Sequence, residues 1–124
     1  MKVLIIDDSE VIRERLSNLL NEVEQVEIVG LASCATEGIE MVNSCHPDFI
    51  VLDIRLPDKS GIEVLKQIKD SNPETCIAML TNYPYLPYRN LCMAYGADYF
   101  FDKSFEFTQT RTVLQELAGN ITQN

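Results

Sequence analysis

The sequence lacks the long apolar segments that a secreted or membrane protein needs. Its 124 residues begin Met-Lys-Val-Leu-Ile-Ile-Asp-Asp, where only four apolar residues separate one lysine from two acids. A signal peptide has a longer apolar stretch, and a membrane-spanning helix needs about 20 predominantly apolar residues. We therefore expect a cytoplasmic protein that has no contact with the membrane.

Positive charge is also scarce. The chain has 10 lysines and arginines against 19 acidic residues, a formal net charge of −9. Sequence-independent binding of nucleic acids depends on lysines and arginines that contact phosphates, so this composition argues against direct nucleic-acid binding. The charge suits a protein that holds a divalent cation or meets a basic partner.

Cysteine and histidine are too few, and too scattered, for a metal or thiol centre. No C-x-x-C spacing occurs, which favours buried, reduced thiols. The single histidine, His46, precedes Pro47 at a predicted helix end, where a surface position is favoured over a catalytic one. The four cysteines are Cys34, Cys45, Cys76 and Cys92.

No linker, repeat or low-complexity segment divides the chain, so residues 1–124 are interpreted as one domain, and 46% hydrophobic residues exclude disorder. Short apolar runs predict strands near residues 2–7, 26–31, 48–53, 76–81 and 98–101. Apolar residues at helical spacing predict helices after Ser9, over 35–45, over 61–70, from Tyr85 or Tyr88 to Tyr95, and near 105–118. The tail from Gly119 is expected to fray.

The regular alternation of strands and helices is typical of a doubly wound α/β protein with a five-stranded parallel sheet. Its flavodoxin-like form has the strand order 2-1-3-4-5. In that order the first and third strands are neighbours, and ligands bind at the carboxyl ends of the strands.

Charged and polar residues follow four of the five predicted strands. Two carboxylates about 4 Å apart repel each other by roughly 4 kcal/mol at an effective dielectric constant of 20. Three of them therefore need compensation, which one lysine and a Mg²⁺ ion would supply. These residues are Asp7 and Asp8 after the first strand, Asp53 after the third, Thr81 after the fourth and Lys103 after the fifth.

This set of side chains predicts phosphoryl transfer to Asp53. Three carboxylates, one lysine and one Mg²⁺ sum to zero charge, and attack by Asp53 on a phosphoryl donor exchanges its charge for that of the phosphoryl oxygens. Lys103, the Thr81 hydroxyl, the metal and loop N–H groups can receive those oxygens. An ionised carboxylate needs no general base.

The chain resembles the receiver domains of response regulators over essentially its whole length. The residues that carry the resemblance are Asp7-Asp8, Asp53, Pro57 and Gly61, Thr81, and Gly96-Ala97 with Lys103. The resemblance implies that Asp53 accepts phosphate from a histidine kinase or a histidine phosphotransfer protein. It also implies that the domain is no enzyme beyond its own phosphorylation and dephosphorylation.

Further roles are implied by the resemblance alone. Asp8, Asp53 and the backbone carbonyl of Arg55 would bind Mg²⁺, or Mn²⁺, with Asp7 acting through water. The backbone of Asn82 would bind the phosphoryl group. Thr81 and Phe100 would turn inward on phosphorylation and change the surface of the fourth helix, fifth strand and fifth helix, to which an unidentified protein target binds. The expected state is a monomer or a phosphorylation-dependent dimer.

The chain departs from the family pattern at several positions. Ser104 replaces the usual proline after the lysine, so we expect no cis peptide there. Asn82 replaces a usual small residue. Arg55 and Tyr83 stand at positions that tune phosphate lifetime in the family, which leaves the rate of signal decay unpredicted.

Three other functions are weighed against this one. A Mg²⁺-dependent phosphatase of the haloacid dehalogenase type also uses a strand-end aspartate, but it has a second aspartate where this chain has Arg55. A degenerate receiver would act only as a protein-binding module. Binding of FMN is disfavoured because the first loop lacks a glycine-rich phosphate cradle. The polar C-terminus and starting methionine favour a stand-alone domain.

Overall fold

The computed structural model describes residues 1–122, and the predicted alternation of strands and helices is confirmed there. The strands are β1 (Lys2–Ile6), β2 (Glu27–Ala32), β3 (Phe49–Leu52), β4 (Cys76–Thr81) and β5 (Tyr99–Asp102). The helices are α1 (Glu10–Leu20), α2 (Ala35–Cys45), α3 (Gly61–Ser71), α4 (Leu86–Ala94) and α5 (Gln109–Thr122). Every strand lies within one residue of its predicted limits.

The five strands form one parallel sheet in the order β2-β1-β3-β4-β5, as predicted. Each parallel pair requires a crossover, and the helices that make these crossovers cover both faces of the sheet. As a result, the carboxyl ends of all five strands meet at one edge.

Two apolar cores flank the sheet because successive side chains of a strand point to opposite faces. Leu4, Ile6 and Leu52 pack against α2, α3 and α4. On the other face of the sheet, Val3 and Ile5 pack against α1 and α5. The central strands are buried on both sides, which explains their continuous apolar sequence.

The predicted N-caps of α1 and α3 are confirmed. The Ser9 hydroxyl accepts a hydrogen bond from the N–H of Ile12, and the Ser60 hydroxyl accepts one from the N–H of Ile62. At the predicted end of α2, His46 adopts a left-handed conformation with φ of 48°. Its side chain is exposed, in agreement with the predicted surface position.

The prediction for the last helix was wrong at its start. Helix α5 begins at Gln109 instead of near residue 105. Turns occupy residues 103–108 because Asp102 and Glu106 bond to each other: the Glu106 N–H donates to the Asp102 carbonyl at 2.8 Å, and the Asp102 N–H donates to a Glu106 carboxylate oxygen at 3.1 Å. The helix continues through the predicted fraying tail to Thr122, and residues 123–124 lie outside the described part.

Helix α4 buries little of its apolar side. Tyr88, Leu91, Cys92 and Tyr95 share that side at helical spacing, and Tyr88 packs against the core while partly exposed. Only Cys92 is fully buried, whereas Leu91 and Tyr95 keep 40% and 37% of their surfaces exposed. The helix is short and packs along one narrow line, so side chains on either side of Cys92 remain outside the core. Within residues 1–122, no helix is both long and apolar enough to cross a membrane.

Candidate functional site

Three backbone hydrogen bonds continue the sheet past its strands and bring the predicted site residues to one edge. The N–H of Asp7 donates to the Ala32 carbonyl at 3.0 Å, and the N–H of Asp53 donates to the Ile6 carbonyl at 3.0 Å. The N–H of Lys103 donates to the Thr81 carbonyl at 2.9 Å. Asp7, Asp53 and Lys103 therefore have backbone positions fixed by the sheet itself.

The ammonium group of Lys103 lies between two buried carboxylates. Its Nζ is 2.7 Å from Oδ2 of Asp7 and 3.1 Å from Oδ2 of Asp53. The three side chains retain 6%, 3% and 7% of their surfaces exposed, for Lys103, Asp7 and Asp53 respectively. Ion pairs with so little contact with water are screened far less than surface pairs.

Asp8 completes an acidic cluster at the mouth of this pocket. One carboxylate oxygen from each of Asp7, Asp8 and Asp53 lies within 4.8 Å of the others, and Asp8 is exposed. Three carboxylates against one ammonium leave an excess of two negative charges. Carboxylate oxygens are the ligands that a hard cation such as Mg²⁺ prefers, so the donor set fits a divalent ion in charge and in chemistry.

Burial and mutual repulsion perturb the titration of the pocket. Desolvation and the charge of Asp7 raise the pKa of Asp53 above its ordinary value, although Lys103 acts in the opposite direction. Burial alone would lower the pKa of Lys103, but the hydrogen bond to Asp7 and the charges of both carboxylates raise it overall. The fold therefore holds Asp53 in an environment that disfavours its charged form.

Asp53→Asn is expected to stabilise the metal-free protein, and increasingly so as pH rises. Because the folded-state pKa of Asp53 is raised, the protonated side chain contributes favourably to stability. This contribution to the free energy of unfolding is complete below about pH 4 and is lost as pH rises through the folded-state pKa. At neutral pH we expect a gain of about 1–2 kcal/mol in the free energy of unfolding, a fraction of the repulsion between two close carboxylates. Urea denaturation between pH 4 and pH 8 measures it.

Asp53 and Lys103 are the two pocket residues whose pKa values are shifted. Between pH 4 and pH 8 only Asp53 contributes to the change in stability, because the contribution of Lys103 changes above about pH 10. Adding Mg²⁺ should reverse the order of stability, since the ion would stabilise the wild type more than the variant. An Asp53→Asn variant that is less stable than the wild type at pH 8 without metal would contradict the interpretation.

Helix α1 fixes the orientation of Asp7. The N–H of Ser9 donates to Oδ1 of Asp7 at 2.9 Å, which leaves Oδ2 to Lys103. The Arg13 guanidinium donates to the Asp7 backbone carbonyl at 2.8 Å. The contacts come from the N-cap and the first turn of α1, so the strand end and the helix start act as one unit.

The loop after β4 starts beside Lys103, whose backbone N–H donates to the Thr81 carbonyl. Thr81 is fully buried, and its hydroxyl accepts a hydrogen bond from the N–H of Tyr83 at 2.9 Å. A hydroxyl that accepts one hydrogen bond can still donate its own proton. Asn82 is exposed, and the Arg55 guanidinium lies 3.8 Å from the centre of the Tyr83 ring. Arg55 and Tyr83 therefore join the loops that follow β3 and β4.

Phe100 is buried in this structure, with 6% of its surface exposed, in the core beneath α4. The Arg89 guanidinium lies 6.0 Å from the centre of its ring. Phe100 thus already occupies, in this structure, the inward position that the resemblance assigns to the phosphorylated state. Its role as a switch stays a prediction.

Ser104 makes a local contact that a proline would not. Its N–H donates to Oδ1 of Asp102 at 2.8 Å, and proline has no N–H to donate. The described residues contain no cis peptide bond, as expected for this position.

Sequence reasoning missed Asp58. Its carboxylate accepts hydrogen bonds from the start of α2, at Ala35 and Thr36. The residues lie more than 20 positions apart, so no local pattern connects them. One signal was present: Cys34 stands at the N-cap of α2, where serine, threonine, aspartate or asparagine is preferred.

Comparison with known proteins agrees with this geometry. Residues 3–115 match the family model described as response regulator receiver domain. A response regulatory protein of Vibrio cholerae is 33% identical over 123 residues, which are 98% of this chain and 47% of that protein. A protein-glutamate methylesterase/protein-glutamine glutaminase of Hahella chejuensis is 37% identical over 108 residues, which are 86% of this chain and 28% of that protein. The chain thus spans less than half the length of these curated relatives.

A solved structure shows the same fold. The response regulator domain of Thermotoga maritima CheB superposes with a TM-score of 0.81 at 29% sequence identity. The match covers 99% of this chain and 94% of that one. The similarity therefore extends over the whole sheet and its helices.

Proposed function

The chain belongs to the response regulator receiver domain family, and from that premise we propose that Asp53 accepts a phosphoryl group. The observation that carries the proposal is the buried contact of Lys103 with Asp7 and Asp53, beside a third carboxylate from Asp8. Such a pocket has one nucleophile, a cation for the incoming oxygens and an acidic cluster for a metal.

Asp53 acts as the nucleophile in its ionised form. One of its carboxylate oxygens forms a bond to phosphorus while the bond between phosphorus and the donor breaks. The bonding electrons leave with the donor, which takes up a proton from solvent. No group on this chain has to remove a proton from Asp53, so positioning and charge stabilisation supply the rate enhancement.

The surrounding groups receive the phosphoryl oxygens. Lys103 already contacts Asp53 at 3.1 Å, and its ammonium has three donors to distribute. The Thr81 hydroxyl and the backbone N–H of Asn82, at the end of β4, would supply further donors. These donors are fixed before the reaction, which is the condition under which they stabilise developing charge most strongly.

Asp8, Asp53 and the backbone carbonyl of Arg55 would hold a Mg²⁺ ion, or Mn²⁺, with Asp7 acting through water. A bound Mg²⁺ would neutralise charge on the phosphoryl oxygens and on the acidic cluster. The excess of two negative charges in the pocket supports this assignment.

The donor we propose is the phosphohistidine of a histidine kinase or of a histidine phosphotransfer protein, in the cytoplasm. Either donor carries a phosphorus–nitrogen bond on an exposed imidazole, which an aspartate at the carboxyl edge of a sheet can reach. The exposed position of Asp8 supports an approach of such a partner from that side of the pocket.

The output surface we propose consists of α4, β5 and α5. Thr81 and Phe100 would link it to the pocket, because Thr81 ends β4 and Phe100 lies on the adjacent β5 beneath α4. At the start of α4, Tyr85 and Leu86 are 58% and 65% exposed, which supports contact with a protein target. The domain would act as a monomer or as a phosphorylation-dependent dimer.

A phosphatase of the haloacid dehalogenase type is disfavoured by the position two residues after Asp53. Arg55 stands there, and its guanidinium is stacked on Tyr83. An arginine cannot serve as the acid/base that such an enzyme needs, because its guanidinium stays protonated in proteins.

Phosphorylation by a small acyl phosphate tests the proposal directly. The protein is incubated with acetyl phosphate and Mg²⁺, and its intact mass is recorded. We expect one added phosphoryl group that hydroxylamine and alkali remove, because an acyl phosphate is labile to both. The adduct should be absent with a chelator and in Asp53→Asn.

Asp48→Asn is the matched control, because Asp48 is an exposed aspartate at the opposite end of β3. This variant should be phosphorylated like the wild type. An adduct that survives hydroxylamine, or that maps to a serine or to His46, would rule out the mechanism. Absence of any adduct on the wild type would favour a degenerate receiver.

A further inference from the structure

The loop between β3 and α3 is fixed at its base and at its tip. At the base, the N–H of Gly61 donates to the Ile54 carbonyl at 2.6 Å, and Arg55 pairs with Ser60 in an isolated antiparallel bridge. At the tip, Asp58 reaches across to helix α2. The segment that carries Arg55 is therefore held closed at both ends.

Asp58 caps α2 from outside the helix. Its Oδ1 accepts the N–H of Ala35 at 2.8 Å, and its Oδ2 accepts the N–H and the hydroxyl of Thr36 at 2.9 Å and 2.8 Å. Cys34, at the N-cap, makes no side-chain capping bond of its own. These hydrogen bonds to backbone and hydroxyl hold the pKa of Asp58 well below its usual range.

Helix α2 is a rigid anchor for this contact. Ala35 is 1% exposed, and Gly38 is packed so closely that an added Cβ would lie 2.6 Å from Cδ1 of Ile6. Ile6 is the last residue of β1, next to Asp7. Asp58 thus ties the tip of the loop to a helix that is itself packed against the strand carrying the acidic pair.

We propose that Asp58 is a positioning residue that holds the loop after Asp53 in the geometry needed to bind the divalent cation. This inference rests on the proposed function, in which the backbone carbonyl of Arg55 is a metal ligand. A carbonyl on a loop fixed at both ends binds a cation without a further loss of conformational entropy.

Two consequences separate this role from simple helix capping. Loss of a cap lowers the melting temperature and has no bearing on a metal. Loss of a positioning contact weakens metal affinity, typically by 10- to 100-fold for groups that orient ligands. By linkage, metal binding must also strengthen the Asp58–α2 contact and so protect the first amides of α2 from exchange.

The experiment measures Mg²⁺ affinity by titration calorimetry, with Mg²⁺ as the only ligand. Asp58→Asn should weaken binding about tenfold or more. Thr36→Val, which removes one hydrogen bond from the α2 side, should weaken binding about threefold. Thr36→Ser keeps the hydroxyl and should restore wild-type affinity. Asp48→Asn is the control, because Asp48 accepts the Lys2 N–H at the far end of the sheet.

Hydrogen exchange supplies a readout that does not depend on phosphorylation. Adding Mg²⁺ should slow exchange at the amides of Ala35 and Thr36 in the wild type, and much less in Asp58→Asn. If Asp58→Asn melts at a lower temperature but binds Mg²⁺ like the wild type, the residue is only a cap and the inference is overturned.

The inference and the proposed function fail in different ways. A wild type that binds no Mg²⁺ overturns both the metal site and the role of Asp58. The role of Asp58 alone is overturned if the wild type binds Mg²⁺ and is phosphorylated, and Asp58→Asn and Thr36→Val bind Mg²⁺ as tightly as the wild type. If Asp58→Asn does not fold, Thr36→Val and Thr36→Ser decide, because Thr36 is exposed and either residue fits there.

Discussion

Gly61→Ala should lower the free energy of unfolding by about 3 kcal/mol or more, the upper range for inserting atoms into a packed site. An added Cβ would lie 1.8 Å from the Asp53 carbonyl oxygen and 2.9 Å from Cα of Ile54. Both are backbone atoms, so no side chain can rotate away. Helix α3 must then separate from the end of β3, which displaces Asp53, and phosphorylation by acetyl phosphate should slow about 100-fold. Urea denaturation and intact mass measure the two effects.

Gly119→Ala is the matched control, because the same substitution meets nothing within 4 Å in α5. Alanine is the better helix former by roughly 0.5–1 kcal/mol, so this variant should be slightly more stable and fully active. Equal stability changes at the two glycines would show that the close approach of Gly61 to Asp53 has no energetic weight.

The sequence around Gly61 predicts the start of a helix but not the contact of Gly61 with Asp53. The Ser60-Gly61 pair predicts a helix start, and α3 does begin at Gly61 with Ser60 as its cap. That a glycine is required because it touches the backbone of Asp53 is a tertiary fact. The two residues are eight positions apart, and only the folded loop brings them together.

The pocket was predictable because topology converts sequence positions into spatial ones. Strand ends can be identified from apolar runs, and parallel strands in the order 2-1-3-4-5 place Asp7, Asp53 and Lys103 at one edge. The Asp58–Thr36 contact and the Arg55–Tyr83 stack were not predictable in this way. The first joins a loop to the start of α2, and the second joins two loops. The paths of these loops depend on packing, for which no periodicity in the sequence exists.

The start of the last helix was missed for a similar reason. Phe107 has the apolar character of a helix position, yet it lies in the turns before α5, with the Arg15 guanidinium 4.5 Å from the centre of its ring. Competition between local side-chain hydrogen bonds and the helix decides such boundaries. Asp102 and Glu106 decide this one.

Lys103→Met should lower the free energy of unfolding of the metal-free protein by about 3–5 kcal/mol, the usual effect of removing one partner from a buried ion pair. Methionine is also unbranched and is only one heavy atom shorter than lysine, so the loss is mainly electrostatic. Asp7 and Asp53 would face each other with 3% and 7% of their side chains exposed and no cation between them. Urea denaturation measures the stability, and we expect phosphorylation by acetyl phosphate to slow at least about 100-fold.

Arg111→Met provides the contrast, because Arg111 and Glu22 form an exposed pair with 36% and 65% of their side chains accessible. A pair of this kind contributes less than about 1 kcal/mol.

Adding Asp7→Asn to Lys103→Met should recover part of the lost stability, since one unpaired charge is removed, but it should not recover phosphorylation. Stability that the second substitution lowers further would mean that Asp7 and Asp53 do not repel each other, and the charge argument for a metal in this pocket would then be lost.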